Sequence, residues 1–194
     1  NEEAISDCEV ARDGVIDVVH PNDDTLEEGA ELTDTPDMHT QAVVTDVWER
    51  ASANFALAIP DDKRISAQRK WCLKHPEYMA RVVKRAKPFL YYITEEIEKR
   101  DMPMELVLLP IVESAFDPFA YSHGRAAGMW QFIPGTGKRF GMQQNWWYDG
   151  RRDVVASTQG ALDYLTYLNE MFDGNWLHAL AAYNSGEGRV QRAI

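Results

Sequence analysis

The stretch DVVASTQGALDYLTYLNEMF, residues 153–172, decides the fold class of this chain. Its apolar side chains recur at intervals of four, three and four residues, at Ala161, Leu165, Leu168 and Phe172. This spacing places them along one face of an α-helix. Asp153 stands just before the stripe, where a carboxylate caps a helix N-terminus. The pattern predicts the longest buried helix of a helical domain.

Helical patterns continue on both sides of this stretch. Residues 41–59 space their apolar side chains as a helix face, and Pro60 ends that pattern. Residues 76–100 indicate one or two helices interrupted at Pro88, because proline lacks the amide hydrogen that a helix interior uses. No internal repeat and no convincing alternating strand pattern is present. We therefore predict an all-α fold with at most a small β-hairpin around residues 125–133.

Charge divides the chain into two parts. Residues 1–40 hold 13 acidic residues and one basic residue, whereas residues 41–194 hold 18 acidic and 19 basic residues. We predict an acidic arm at 1–40, extended or loosely docked, and one domain at 41–194. The nearly neutral domain does not suit a nucleic-acid backbone. No apolar run reaches the roughly 20 residues of a membrane-spanning helix, so we expect no membrane segment in this chain.

The chain offers no pattern that holds a metal or an organic cofactor. Its five histidines lack the spacing of metal ligands. Cys8 and Cys72 form neither a metal motif nor a redox pair, and the sequence leaves open whether they form a disulfide. We therefore predict no metal and no cofactor.

The segment MELVLLPIV, residues 104–112, is apolar on every side and leads directly to Glu113. Periodicity does not separate a buried strand from a buried helix here. If the segment packs inside the domain, Glu113 emerges at the wall of a cavity, where desolvation raises a carboxyl pKa. A carboxyl that stays protonated near neutral pH is a general acid. Taken alone, the residues favour the simpler interpretation, in which Glu113 points to solvent.

Two stretches carry a family resemblance. ESAFDPFAYSHGRAAGMWQFIPGTG, residues 113–137, and AAYNSGEGRV, residues 181–190, resemble the lytic transglycosylase domain of the goose-type-lysozyme-like superfamily. The Glu-Ser pair, Ser122, the Gly-x-x-Gln motif and the Ala-Tyr-Asn motif stand in that family's order and approximate spacing. The resemblance covers roughly residues 41–194. It implies a lysozyme-like helical domain in which the residues before Glu113 form a helix.

The resemblance also implies a reaction. Enzymes of this family cleave peptidoglycan glycan strands between N-acetylmuramic acid and N-acetylglucosamine and leave a 1,6-anhydromuramyl end. By the match, Glu113 is the single acid and base. The family works in the periplasm of the Gram-negative cell envelope, and membrane attachment of a longer precursor is not visible here. A goose-type-lysozyme-like hydrolase and a non-catalytic glycan-binding fragment are the alternatives.

The match assigns substrate-binding roles to a set of motif residues: Ser114, Ser122, Gly128, Met129, Gln131, Tyr183 and Asn184. Each has a structural alternative. A serine can cap a helix or turn a loop, and a tyrosine after an apolar helix is usually a core residue with a solvated hydroxyl. We expect Gly128 to let the backbone approach the ligand, and Gln131 to offer it both a donor and an acceptor.

Most glycosidases pair two carboxylates, so we sought a second one. Asp117 suits a turn before a proline, and Glu187 suits a cap on the last helix. Asp149 and Asp153 suit turn and cap positions, and none of these four stands where the resemblance marks a catalytic residue.

Two further features complete the expectations. Trp146 and Trp147 offer a second glycan platform, although adjacent aromatic residues are more often packing anchors, which is the interpretation we favour. Family domains continue beyond the Ala-Tyr-Asn motif, so we expect the domain to be truncated at its C-terminal end.

Overall fold

The computed structural model describes residues 46–194, and these residues form short and long helices joined by loops. The α-helices are α1 (Val47–Ala53), α2 (Lys63–Lys74), α3 (Pro76–Lys99), α4 (Leu109–Ser114), α5 (Pro134–Arg139), α6 (Val154–Met171), α7 (Trp176–Ser185) and α8 (Glu187–Gln191), with a 3₁₀ helix at Met104–Leu108. The all-α prediction is confirmed. The predicted arm at 1–40 lies outside the described residues, so the domain division stays a prediction.

Helix α6 forms the centre of the core, as its sequence predicts. The Asp153 carboxylate accepts a hydrogen bond from the Ala156 amide at 2.8 Å and so caps the helix. Ala161, Leu165 and Leu168 are fully buried. The prediction that this helix is the longest is wrong, because α3 has 24 residues and α6 has 18. Yet α6 buries more of its residues than α3, since apolar neighbours cover it on several sides.

Helix α3 runs through Pro88 without interruption. Pro88 lies on the exposed face of the helix, while the opposite face is buried along its length through Val82, Ala86, Leu90, Ile93 and Ile97. The proline removes one backbone hydrogen bond. Burial of the opposite face on both sides of Pro88 holds the helix together, so the expected interruption does not occur.

The ambiguous segment before Glu113 is helical. A 3₁₀ helix at Met104–Leu108 leads into α4, in which Pro110 occupies the first turn. Proline is tolerated there because the amides of the first turn have no partner within the helix. The helix implied by the family resemblance is therefore confirmed, and the strand alternative is wrong.

The predicted hairpin is reduced to isolated bridges. Ala127 pairs with both Tyr121 and Phe132 in antiparallel bridges, and Gln144 pairs with Asp149, but residues 46–194 contain no strand. Within the same residues, no helix combines the length and apolarity needed to cross a membrane.

Candidate active site

Glu113 lies in the last turn of α4, where the chain makes a sharp exit. Ala115 and Phe116 follow with left-handed φ angles of +52° and +57°, and the Phe116 amide donates to the Pro110 carbonyl at 3.1 Å. The Phe116 ring is fully buried and anchors this exit in the core. Glu113 is half-buried. Burial raises the pKa of its carboxyl above the ordinary value for glutamate, because desolvation disfavours the charged form.

Ser114 joins the end of α4 to the loop that carries the Gly-x-x-Gln motif. Its hydroxyl donates to the Met129 carbonyl at 2.9 Å and accepts from the Asp117 amide at 3.1 Å. The side chain therefore fixes the position of Glu113 relative to the motif loop. Ser114 does not line the cleft described below.

Gly128 and Met129 belong to the frame of the motif loop. Gly128 has a φ of +80°, and a Cβ there would lie 1.7 Å from the Arg151 carbonyl oxygen. The close neighbour that requires glycine is thus the Arg151 backbone and not the ligand that was predicted from the sequence. The Met129 side chain is only 1% exposed and packs in the core. Neither residue lines the cleft.

Gln131 is the motif residue that faces the cleft. Its backbone adopts a left-handed φ of +50°, and its side-chain amide donates to the Gly128 carbonyl at 2.8 Å. This bond orients the amide so that its oxygen is available as an acceptor for a ligand. Arg151 supports the loop from behind, because its Nη1 donates to the Phe132 carbonyl at 3.0 Å and to the Arg125 carbonyl at 2.7 Å.

Tyr183 connects α7 with the motif loop. Its hydroxyl donates to the Trp130 carbonyl at 2.8 Å, and its ring meets the Phe132 ring edge to face at 5.9 Å. Burial raises the pKa of Tyr183 well above its usual range, and the negative charge of Glu113 raises it further. Tyr183 therefore stays neutral. Its hydrogen is engaged by the Trp130 carbonyl.

These elements enclose a cleft of about 520 Å³. Five of the eight predicted site residues line it: Glu113, Ser122, Gln131, Tyr183 and Asn184. Ser122 turns the loop there, because its hydroxyl accepts from the Ala126 amide at 3.0 Å. These five residues contribute one half-buried carboxyl, two hydroxyls and two side-chain amides. This set suits the recognition of a polar substrate and proton transfer to it.

Comparison with known proteins identifies the family. Residues 91–194, more than half of the chain, match the family model described as the transglycosylase SLT domain. The chain belongs to this family. The resemblance drawn from its motifs is confirmed.

Relatives of this SLT domain carry related names. Membrane-bound lytic murein transglycosylase D of Escherichia coli (strain K12) is 53% identical over 77% of this chain and 33% of that protein. Membrane-bound lytic murein transglycosylase C of Glaesserella parasuis is 32% identical over 57% of this chain and 34% of that protein. The solved lytic transglycosylase Slt of Pseudomonas aeruginosa aligns with a TM-score of 0.43 and 28% identity over 51% of this chain and 17% of that chain. The chain spans about a third of the length of these two curated relatives.

A second carboxylate of the SLT domain, which was not predicted to belong to the site, lines the cleft. Glu187 was expected to cap α8, but α8 has no side-chain cap, and Glu187 turns into the cleft instead. The Tyr164 hydroxyl donates to Glu187 Oε2 at 3.2 Å, and Arg139 Nη1 lies 3.8 Å from Glu187 Oε1. No sequence pattern marks this contact, because α5, α6 and α8 meet only in the folded domain.

The other three carboxylates considered as partners of Glu113 have the structural roles expected of them. The Asp117 carboxylate accepts from the Phe119 amide at 2.9 Å and shapes a turn. Asp149 pairs with the buried Arg151 at 2.6 Å, and Asp153 caps α6. Among the described residues, no group of acidic, histidine or cysteine side chains could hold a metal ion. Cys8 lies outside the described residues, so its pairing with Cys72 stays untested.

Trp146 and Trp147 are not packing anchors. Their side chains are 89% and 91% exposed. The Asn145 carboxamide accepts from the backbone amides of Trp147 and Tyr148, both at 2.9 Å, and holds a tight turn. The turn presents both rings outward, so the favoured interpretation from the sequence is wrong.

Proposed function

We propose that this chain carries a lytic transglycosylase active site that cleaves murein glycan strands. The bond cleaved is the β-1,4 link between N-acetylmuramic acid and N-acetylglucosamine, and the product ends in 1,6-anhydromuramic acid. The proposal rests on one observation above the others. Glu113 is a half-buried carboxyl with a raised pKa, and it lines a cleft beside the neutral hydroxyl of Tyr183. Membership in the SLT family supplies the substrate class.

The first step is proton donation by Glu113. Burial raises the pKa of its carboxyl and so favours the protonated form that can donate. The proton passes to the glycosidic oxygen as the bond between this oxygen and the muramyl C1 breaks. We assign Ser122, Gln131 and Asn184 to hold the sugar acetamido and hydroxyl groups, because their polar side chains line the same cleft.

The second step uses the same residue as a base. The Glu113 carboxylate takes the proton of the muramyl C6 hydroxyl while O6 bonds to C1 and closes the anhydro ring. Glu113 ends the cycle protonated, and water is not consumed. The substrate thus supplies the nucleophile that a second carboxylate or a water molecule supplies in other glycosidases.

Product analysis tests this proposal. Purified murein digested with the wild type is expected to yield muropeptides lighter by one water than hydrolysis products, as measured by mass spectrometry. Glu113→Gln removes the transferable proton and should abolish release. Glu170→Gln is the matched control, because Glu170 is exposed on α6 and does not line the cleft. Products with ordinary reducing ends alone would contradict the lyase mechanism.

A hydrolytic muramidase is the second candidate, and Glu187 favours it. A carboxylate in the same cleft as the acid could activate water, as in glycosidases with two carboxylates. In that case Glu187→Gln should abolish release as completely as Glu113→Gln. The lyase mechanism instead predicts that Glu187→Gln retains turnover. If the wild type and Glu113→Gln both bind murein but solubilise it equally poorly, the chain is a non-catalytic glycan-binding fragment.

The proposed substrate implies a location. Murein lies in the periplasm of Gram-negative bacteria, and both curated relatives carry names of membrane-bound murein enzymes. We place the protein in the periplasmic cell envelope. Fractionation of cells that produce the full-length protein should recover it with the envelope or the periplasm, and recovery in the cytoplasm alone would contradict this placement.

A further inference from the structure

Arg139 stands at the rim of the cleft. It is the last residue of α5, three positions after Thr136, which lines the cleft. Residues three apart lie on the same face of a helix. Its guanidinium also lies 3.8 Å from the carboxylate of Glu187, another cleft residue. Cleft residues therefore flank Arg139 on two sides.

Aromatic rings hold the guanidinium in place. Its central carbon lies 4.4 Å from the ring centroid of Tyr167 and 5.3 Å from that of Phe140. A cation is attracted to ring faces at these distances. The side chain still has 51% of its surface exposed. Arg139 is thus a partly pre-oriented cation that solvent, and hence a ligand, can reach.

The ion pair with Glu187 leaves the N–H donors of Arg139 available for a ligand. A separation of 3.8 Å is an ion pair but exceeds the length of a hydrogen bond. Glu187 itself is held from the other side by the Tyr164 hydroxyl. A guanidinium carries five N–H donors in a planar fork, and this fork matches a carboxylate with two parallel hydrogen bonds.

The charge of Arg139 indicates which part of the substrate it meets. A glycan strand is a chain of neutral hydroxyl and acetamido groups, which need no fixed cation. The muramyl units of murein also carry a short peptide on their lactyl group, and this peptide bears free carboxylates. We propose that Arg139 binds a carboxylate of this peptide substituent, so that the cleft selects peptide-bearing strands. This proposal rests on the proposed function of the cleft.

Arg139→Gln tests the proposal on two substrates. One is murein strands with their peptides, and the other is the same strands after enzymatic removal of the peptides, with the lactyl carboxylates that this removal frees converted to amides. Loss of a charged, bidentate contact is expected to lower kcat/KM on peptide-bearing strands about tenfold, mainly through KM. On peptide-free strands, kcat/KM should equal that of the wild type. Lys138→Gln is the matched control, since it removes the same charge from the neighbouring, exposed residue of α5.

Two further arms separate carboxylate recognition from a structural role. Amidation of the peptide carboxylates should lower wild-type kcat/KM to the level of Arg139→Gln and should leave the variant unchanged. Arg139→Lys keeps the charge but lacks the fork, so it should recover only part of the selectivity.

The outcomes are distinguishable from failure of the proposed function. An equal loss on both kinds of strand, or no loss on either, would overturn the role of Arg139 while anhydromuramyl products still appear. If the wild type forms no anhydromuramyl product from either substrate, the proposed function fails, and the role of Arg139 fails with it.

Discussion

The Tyr183 hydroxyl donates a 2.8 Å hydrogen bond to the Trp130 carbonyl and so ties helix α7 to the loop that carries Gln131. The two sequence motifs of the family, separated by about fifty residues, meet through this bond. It also fixes the orientation of the hydroxyl beside Glu113, since the hydroxyl has only one hydrogen to donate.

Removal of this hydroxyl should weaken both stability and turnover. Tyr183→Phe leaves the Trp130 carbonyl without its partner, and we expect a loss of about 1–3 kcal/mol in the free energy of unfolding. Turnover should fall as well, because the loop that carries Gln131 loses its hydrogen bond to helix α7. Denaturant unfolding and murein digestion measure the two effects. Tyr91→Phe is the control, since Tyr91 is 59% exposed; equal behaviour of both variants would contradict the assigned role.

The raised pKa of Glu113 predicts a pH-dependent stability difference. Burial disfavours the charged carboxylate in the folded state, so this group destabilises the fold once pH rises past the unfolded pKa of about 4.3 and towards the higher folded pKa. Below the unfolded pKa both states are protonated and the penalty is absent. Glu113→Gln carries no charge at any pH. It should therefore unfold at higher denaturant than the wild type at about pH 7 and at the same denaturant at about pH 3.

The same pKa governs turnover. Because Glu113 acts first as an acid, wild-type kcat/KM should fall about tenfold per pH unit above the Glu113 pKa. A pH–rate profile on purified murein measures this limb. A profile that stays flat through the alkaline range would show that Glu113 does not donate the proton.

Gly128 should tolerate no side chain. Gly128→Ala combines a φ of +80° with a contact of 1.7 Å to the Arg151 backbone, so we expect a loss of at least about 3 kcal/mol in the free energy of unfolding. Gly135→Ala is the matched control, because a Cβ there meets nothing within 4 Å. Alanine also favours the helix, so Gly135→Ala should leave stability unchanged or raise it by up to about 1 kcal/mol. Thermal unfolding of both variants measures the two effects. A comparable loss of stability in both variants would show that the Arg151 backbone does not exclude a side chain at position 128.

The tryptophans provide a contrast between buried and exposed rings. Trp130 has no exposed surface and donates to the Thr158 hydroxyl at 3.0 Å, so Trp130→Ala should cost about 3–5 kcal/mol. Trp147 is 91% exposed, and Trp147→Ala should change the free energy of unfolding by less than about 0.5 kcal/mol. Denaturant unfolding of the two variants checks this. A large loss in the free energy of unfolding for Trp147→Ala would mean that the Trp147 ring packs against the folded domain.

Features with a local cause could be predicted from the sequence. The start of α6 follows from Asp153, whose carboxylate needs only the next turn of the helix to form its cap. The all-α fold follows from apolar spacing, since period and burial coincide. The Glu-Ser pair and the Ala-Tyr-Asn motif located the site because family resemblance supplied the long-range contacts that periodicity lacks.

Features with a tertiary cause could not be predicted from the residues. Pro88 does not break α3, because packing of the opposite face outweighs one missing hydrogen bond. Gly128 is required by the Arg151 carbonyl, which belongs to a distant part of the chain. Glu187 enters the cleft through contacts with Tyr164 and Arg139 on two other helices.

The exposure of Trp146 and Trp147 also could not be predicted from the sequence. Adjacent tryptophans usually bury their rings, yet Asn145 shapes a turn that points Trp146 and Trp147 outward. Whether the segment before Glu113 forms a strand or a helix was likewise decided by packing. Apolar residues on every side suit both, and the family resemblance alone indicated the helix.

Labelling of the solvent oxygen distinguishes ring closure by the muramyl C6 hydroxyl from attack by water. Murein is digested in water enriched in heavy oxygen, and the new muramyl ends are examined by mass spectrometry. If Glu113 alone serves as acid and base and the muramyl C6 hydroxyl is the nucleophile, the new ends carry no heavy oxygen, and Glu113→Gln releases none of them. Heavy oxygen at C1 of the released muramyl units would show that water attacks, and would rule out the C6 hydroxyl as the nucleophile.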